Sequence, residues 1–266
     1  MSHTFSNLLL IVSVFLSGTQ AVPQAPIASI CSFQWTPSSA YDIFKDLINT
    51  SGYHKDVRPI NASAPFDPTT GATPTTVKVN FFVSTIESID EVGGSFRVQL
   101  LFRQKWLDPR LAYENSFQYQ NQCNNNRPST LRIPDSMIDN VWTPDLYISQ
   151  ELDSKKHGLF HPNQFIKVTP KGNVNFSQRI TLTLSCPQLA KSDVVKKECD
   201  MSVESYGHLQ DELALDWTEE HPVYVEKDIF APRKYKLDKL TNGRCDTTTS
   251  YGVYSCIKAK FHFSRN

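Results

Sequence analysis

The chain has 266 residues, of which 39% are hydrophobic and 20% charged, a composition that supports one sizeable core or two small ones and excludes intrinsic disorder. Its 27 basic and 27 acidic residues cancel to a formal net charge of zero, which removes the basic footprint of a nucleic-acid binder.

From the N-terminus, Leu8 to Leu16 (LLLIVSVFL) is apolar except for Ser13 and runs into small residues around Ala21. This pattern predicts a signal peptide over 1–21, although MSHTFSN carries no Lys or Arg, and leaves 22–266 as the mature domain. The expected location is secreted and extracellular. Six cysteines agree with an oxidising compartment, and Asn49, Asn61 and Asn175 each open an N-x-Ser/Thr sequon, the candidate glycosylation sites. After the leader nothing approaches the ~18 consecutive apolar residues of a membrane span.

Ser39 to Asn49 places Tyr41, Phe44, Leu47 and Ile48 at helical spacing, with Ser39 and Asp42 as a capping box and Gly52 as the stop. Lys55 to Thr76 is rich in Pro, Thr and Ala and reads as a connecting loop. Strands follow. Val77, Val79, Phe81 and Val83 alternate, Glu91 to Gly94 turns, and Phe96, Val98, Leu100 and Phe102 alternate again, with Arg97, Gln99, Leu101, Arg103 and Lys105 on the other face. Gln118 to Ser129 is a polar loop holding Cys123. Further strands are expected at Leu131–Pro134, Val141–Ile148, Phe165–Thr169, Leu213–Trp217 and around Cys245 and Cys256. Ile180, Leu182 and Leu184 lead into Cys186; twelve residues pass, and Cys199 opens a second alternating run through Met201 and Val203. This reads as two strands stapled by a wet disulfide loop carrying Lys191, Asp193, Lys196, Lys197 and Glu198. Cys245 and Cys256 suit a hairpin tip, leaving Cys31 and Cys123 as the remaining pair, with other pairings open.

An N-terminal α-helix and roughly ten strands define a mainly β chain, an immunoglobulin-like β-sandwich. There is no GxGxxG, GxxxxGK[ST], GxSxG or HExxH, and the seven histidines show no ligand spacing, so no catalytic residues, metal or cofactor are expected.

Several segments taken together resemble the extracellular domain of Cys-loop receptors, pentameric ligand-gated ion channels. They are WLDPRLAYE (Trp106 to Glu114), IPDSMIDNVWTPDLYI (Ile133 to Ile148), GNVNFSQRITLTLSC (Gly172 to Cys186), ESYG (Glu204 to Gly207) and the Cys245–Cys256 hairpin before IKAKFHFSRN. The similarity is greatest to the glycine and GABA receptor branch, and SGYHKDVRP (Ser51 to Pro59) fits its helix exit. In that family a pore helix follows the position of Arg265 or Asn266, and the disulfide loop is longer, with a Phe-Pro core packed against the pore. Here the loop has Pro187 as its only proline and no aromatic, as in the acetylcholine-binding proteins. The resemblance therefore implies a secreted, soluble homopentamer that binds a small zwitterionic or cationic amine at subunit interfaces. The alternatives are the ligand-binding part of an anion channel and a scaffold pentamer whose site has degenerated.

The same resemblance assigns candidate ligand-binding residues. On the principal face these are Tyr147, Glu204, Tyr206, Thr249, Tyr251 and Tyr254, whose aromatic rings can enclose an ammonium and whose carboxylate can pair with it. On the complementary face they are Leu101, Arg103 and Thr169, with Arg103 as a bidentate clamp for a ligand carboxylate and Thr169 as its helping hydroxyl. Leu101 stands where the family offers an aromatic. Ser149 replaces the first-loop tyrosine of acetylcholine receptors. The competing reading of Tyr147 is core packing, and of Glu204, Arg103 and Thr169 a solvated strand face. Trp106, Asp108, Trp142, Pro144 and Asp145 read as core and turn.

Overall fold

The structure, a computed structural model, describes residues 36–49, 52–60, 73–121, 127–193, 195–230, 232 and 234–266. The leader, Cys31, Asn61 and Cys123 lie outside the described residues, and with them the Cys31–Cys123 pairing. Helix α1 (Pro37–Asn49) comes first. Ile43, Phe44 and Ile48 form its buried stripe, whereas Tyr41 faces solvent. The cap lies three residues before the expected Ser39: the Thr36 N–H donates to Ser39 Oγ at 3.0 Å and the two hydroxyls lie 3.1 Å apart. Pro37 takes the first helical position, where no intrahelical N–H partner is lost. Asn49 ends the helix exposed to solvent.

Fourteen strands follow among the described residues. They are β1 (Thr75–Asp90), β2 (Ser95–Leu107), β3 (Leu131–Arg132), β4 (Leu146–Ile148), β5 (Glu151–Lys156), β6 (Gln164–Val168) and β7 (Asn173–Ser185). Then come β8 (Lys196–Ser205), β9 (Leu213–Trp217), β10 (Val223–Phe230), β11 (Tyr235–Arg244), β12 (Thr247–Thr249), β13 (Gly252–Tyr254) and β14 (Cys256–Arg265). An eight-stranded sheet runs β10-β1-β2-β7-β6-β3, with β9 also pairing β1 and β5 also pairing β7; a four-stranded sheet runs β11-β14-β8-β4. The result is a mainly β sandwich behind an N-terminal helix.

Period-two patterning explains why the sheets face each other. Along β2, Phe96, Val98, Leu100, Phe102, Gln104 and Trp106 are buried while the alternate residues are not. Phe96 meets Phe261 and Phe263 of β14 with ring centroids 5.1 and 5.6 Å apart, and this contact joins the two sheets. Phe81 stacks on Phe102 and meets Trp217 edge-on.

Two expectations are corrected and two are sharpened. The strands flanking Cys186 and Cys199 are not neighbours: β7 lies in the large sheet and β8 in the small one, so the Cys186–Cys199 disulfide staples sheet to sheet. Lys197 is not part of a wet loop. It is 3% exposed, and its ammonium donates to the Lys191 carbonyl. Lys191, Asp193, Lys196 and Glu198 are exposed as expected, anchored by buried Leu189. The strand expected over Val141–Ile148 shrinks to β4, preceded by a 3-10 turn at Asp135–Asn140. Asn175, the third residue of β7, is half-buried between its strand partners Lys105 and Lys167 and so is more crowded than exposed Asn49.

One buried carboxylate ties the end of the fold beneath α1 together. Asp108 is fully buried and receives Arg110 Nε and Nη2, each at 2.8 Å, and the Tyr53 hydroxyl at 3.0 Å. That hydroxyl accepts from the Trp142 N–H at 2.9 Å, while the Asp108 N–H donates to Gly172 O at 2.9 Å. Burial, followed by the Asp108 charge, pushes the Tyr53 phenol well above its ordinary range, so it stays a donor. Gly172 has φ +83°, and a Cβ there would lie 2.4 Å from Asp108 O. Replacing Asp108 by Ala removes the buried acceptor shared by the half-buried Arg110 guanidinium and the Tyr53 hydroxyl, and is expected to cost about 3 kcal/mol in urea unfolding. A loss below ~1 kcal/mol would place Asp108 among ordinary surface pairs.

Candidate ligand-binding face

The principal-face residues gather on the small sheet. Tyr147 and Glu204 are direct partners in the β4–β8 ladder, so their side chains share the outward face. Ser149 Oγ donates to Glu204 Oε1 at 2.6 Å, and the Tyr147 hydroxyl lies 3.5 Å from Oε2. Tyr206 stands edge-on to Tyr147, centroids 5.9 Å apart at 85°. Tyr147 is 39% exposed, which sets aside core packing as its role. Burial, then the Glu204 carboxylate, raises its phenol above the usual range, so it is neutral and able to donate at neutral pH. The two rings and the carboxylate form a small anionic, aromatic surface suited to an ammonium.

Asp145 positions that surface. Its carboxylate accepts from Ser205 Oγ and the Gly207 N–H, both at 2.7 Å, and its carbonyl accepts from the Tyr206 N–H at 3.1 Å. The Cys245–Cys256 disulfide closes the base of the hairpin as expected, with Cys256 directly across from Glu204. The tip is the β12–β13 ribbon, where Thr249 Oγ1 accepts from the Tyr251 N–H and donates to Gly252 O. Leu209 packs against Gly252, and the Gln210 N–H donates to Val253 O at 2.8 Å, so the hairpin leans on the segment that follows Tyr206. Tyr251 is exposed and Tyr254 half-buried; among the described residues neither ring touches Tyr147 or Tyr206.

The complementary-face residues lie on the outward side of the large sheet. Arg103 is half-buried, its guanidinium bonded to the Tyr224 hydroxyl and 5.8 Å from that ring's centroid. Tyr224 packs on Phe82 at 4.8 Å, and Phe82 is the direct partner of Leu101. The aromatic wall absent at Leu101 is therefore supplied from β1 and β10. Thr169 is not beside Arg103. Its hydroxyl accepts from the backbone N–H and side-chain amide of Asn173 in the β6–β7 turn, and Asn173 pairs with Leu107, four residues along β2 from Arg103. Ser177, the direct partner of both Arg103 and Phe165, is the hydroxyl level with the guanidinium. Sequence reasoning missed Tyr224, Phe82, Ser177 and Phe165. Alternation puts Phe82 outward, but the others need cross-strand register.

Within one chain the two faces sit on different sheets. Asp145→Ala is expected to remove the hydrogen bonds that hold the 205–207 turn, lowering unfolding free energy by about 1–3 kcal/mol. The nuclear Overhauser contact between the Tyr147 and Tyr206 rings should vanish with it. A variant that keeps this ring contact would show the turn to be held from elsewhere.

Comparison with known proteins gives the family. A model of the neurotransmitter-gated ion-channel ligand binding domain matches residues 40–266. A glutamate-gated chloride channel of Drosophila melanogaster is 34% identical over 193 residues, 72% of this chain and 40% of that protein. The chain thus spans well under half of that relative's length. No helix among the described residues is long and apolar enough to cross a membrane. The chain belongs to the neurotransmitter-gated ion-channel ligand-binding domain family, the non-enzymatic extracellular domain of Cys-loop receptors, and is similar to its anion-channel branch.

Proposed function

We propose that this chain forms a secreted homopentamer that binds a small amino-acid-like ligand between neighbouring copies. The ligand ammonium meets Glu204, Tyr147 and Tyr206 of one copy and its carboxylate meets Arg103 of the next. The observation that carries this reading is the Arg103–Tyr224 contact. The hydroxyl holds the guanidinium in place while leaving donors of the planar fork for a carboxylate, and a fork gives a carboxylate two charge-assisted hydrogen bonds. Opposite charges on opposite faces favour a zwitterion over a simple cation. The name of the Drosophila relative points to the same ligand class. Tyr251, Tyr254 and Thr249 on the hairpin close over the ligand, and Leu101 with Phe82 lines its apolar side.

The exposed charges of the disulfide loop, Lys191, Asp193, Lys196 and Glu198, favour a hydrated role for that surface over contact with a pore. Light scattering on the secreted 22–266 protein checks the assembly: a pentamer mass supports the proposal, and a monomer at micromolar concentration contradicts it.

Calorimetry with glutamate, glycine, GABA and acetylcholine tests the ligand class. Arg103→Ala is expected to weaken the best amino acid by about 10- to 100-fold, the worth of one charge-assisted interaction. Equal affinity in both proteins removes Arg103 from the site.

A further inference from the structure

A cleft of about 660 Å³ opens between the inner face of the large sheet and the segment that leads from the Asp135–Asn140 turn into β4. Its volume falls within the range of small-molecule sites, ~300–1,000 Å³. Leu146 lines it, whereas the next residue, Tyr147, points outward with Glu204, so the cleft and the candidate ligand face lie on opposite sides of β4.

Three amides stand along the cleft. Gln104 is 4% exposed, and its Oε1 is buried with no hydrogen-bond partner. Buried polar atoms are almost always paired, so this acceptor marks a place where a donor belongs. Gln178 Nε2 donates to Gln164 Oε1 at 3.1 Å, which leaves that pair's other carbonyl and amino group to offer. Phe102 and Phe176, from the same strands, supply an apolar floor, and Lys156 stands exposed at the rim. An adjoining hollow of about 340 Å³ shares Lys156, Gln164 and Gln178.

We propose that this cleft is a second small-molecule site, inside one chain, for a flat aromatic ligand bearing a carboxamide or similar N–H donor. The donor N–H is received by Gln104 Oε1, the ring rests on Phe102 and Phe176, and the ligand carbonyl accepts from the Gln164 amino group. A carboxamide matches the wall because it is both donor and acceptor, as the glutamine amides are. The site is independent of the ligand bound between copies and of the reading that places it there.

Benzamide is the probe, followed by saturation-transfer NMR on the full chain. Saturable binding is expected, unchanged in Arg103→Ala and lost in Gln104→Met, which keeps volume but removes the acceptor. N,N-dimethylbenzamide, which lacks the N–H, should bind about tenfold or more weakly to the unmodified protein, a comparison that does not depend on any variant folding. Benzamide binding equal to that of the dimethyl analogue, binding retained in Gln104→Met, or no binding at millimolar concentration overturns the proposal. A crystal structure soaked with benzamide that shows only ordered water on Gln104 Oε1 does the same.

Discussion

A single buried carboxylate holds the geometry on which both ligand faces depend. Asp108 stands just after β2, and its partners come from three places, the exit of α1, the turn after β2 and the β6–β7 turn, while the Tyr53 hydroxyl that donates to it accepts in turn from the segment before β4. Three elements joined through this network carry parts of the proposed binding surface. β2 carries Arg103, the β6–β7 turn sets the register that brings Ser177 level with it, and the segment around Trp142 leads into Tyr147. A charge taken from water is costly, and this one is repaid only because the guanidinium binds it bidentately and a phenol donates to it. Such a network tolerates little drift, which suits a site whose ligand contacts are a few hydrogen bonds and ring faces.

Division of labour between sheets follows from the same architecture. The small sheet offers a carboxylate between tyrosines; the large sheet offers a guanidinium backed by Tyr224 and Phe82. Because the sheets pack back to back through Phe96, Phe261 and Phe263, these outward faces point away from each other. A zwitterion can touch both only where two copies meet. The Cys186–Cys199 bridge, by joining β7 to β8, fixes one sheet relative to the other and so couples the two faces of each chain.

Much of this was legible in the sequence, for identifiable reasons. β2 alternates strictly, and β1 and β7 alternate over parts of their length, because one face is buried, and alternation survives without knowledge of partners. β5 was invisible because all six of its residues are exposed: it is a strand paired to β7 and tied by a side chain only through Asp153 to Arg97 at 3.3 Å among the bonds of the described residues. β10 pairs parallel to β1, a relation no local pattern specifies. The same limit governed the site. Tyr147, Glu204, Tyr206 and Thr169 were all assigned by resemblance; the first three stand together, whereas the Thr169 hydroxyl is engaged in the β6–β7 turn. Ser177 needed the β2–β7 register, and Lys197 looked solvated because a charge in a polar run gives no sign that its ammonium folds back onto the Lys191 carbonyl.

The central claim is that the ligand is shared between copies, and mixing two defective proteins tests it most directly. Chains carrying Glu204→Gln and chains carrying Arg103→Ala each lack one face. Unfolded together, refolded and assembled, they form some interfaces that join an intact Glu204 face to an intact Arg103 face. The account predicts that amino-acid binding, weak or absent in either pure assembly, reappears in the mixture with the affinity of the unmodified protein at a fraction of the sites. Mixed assemblies that bind no better than their parents would contradict it.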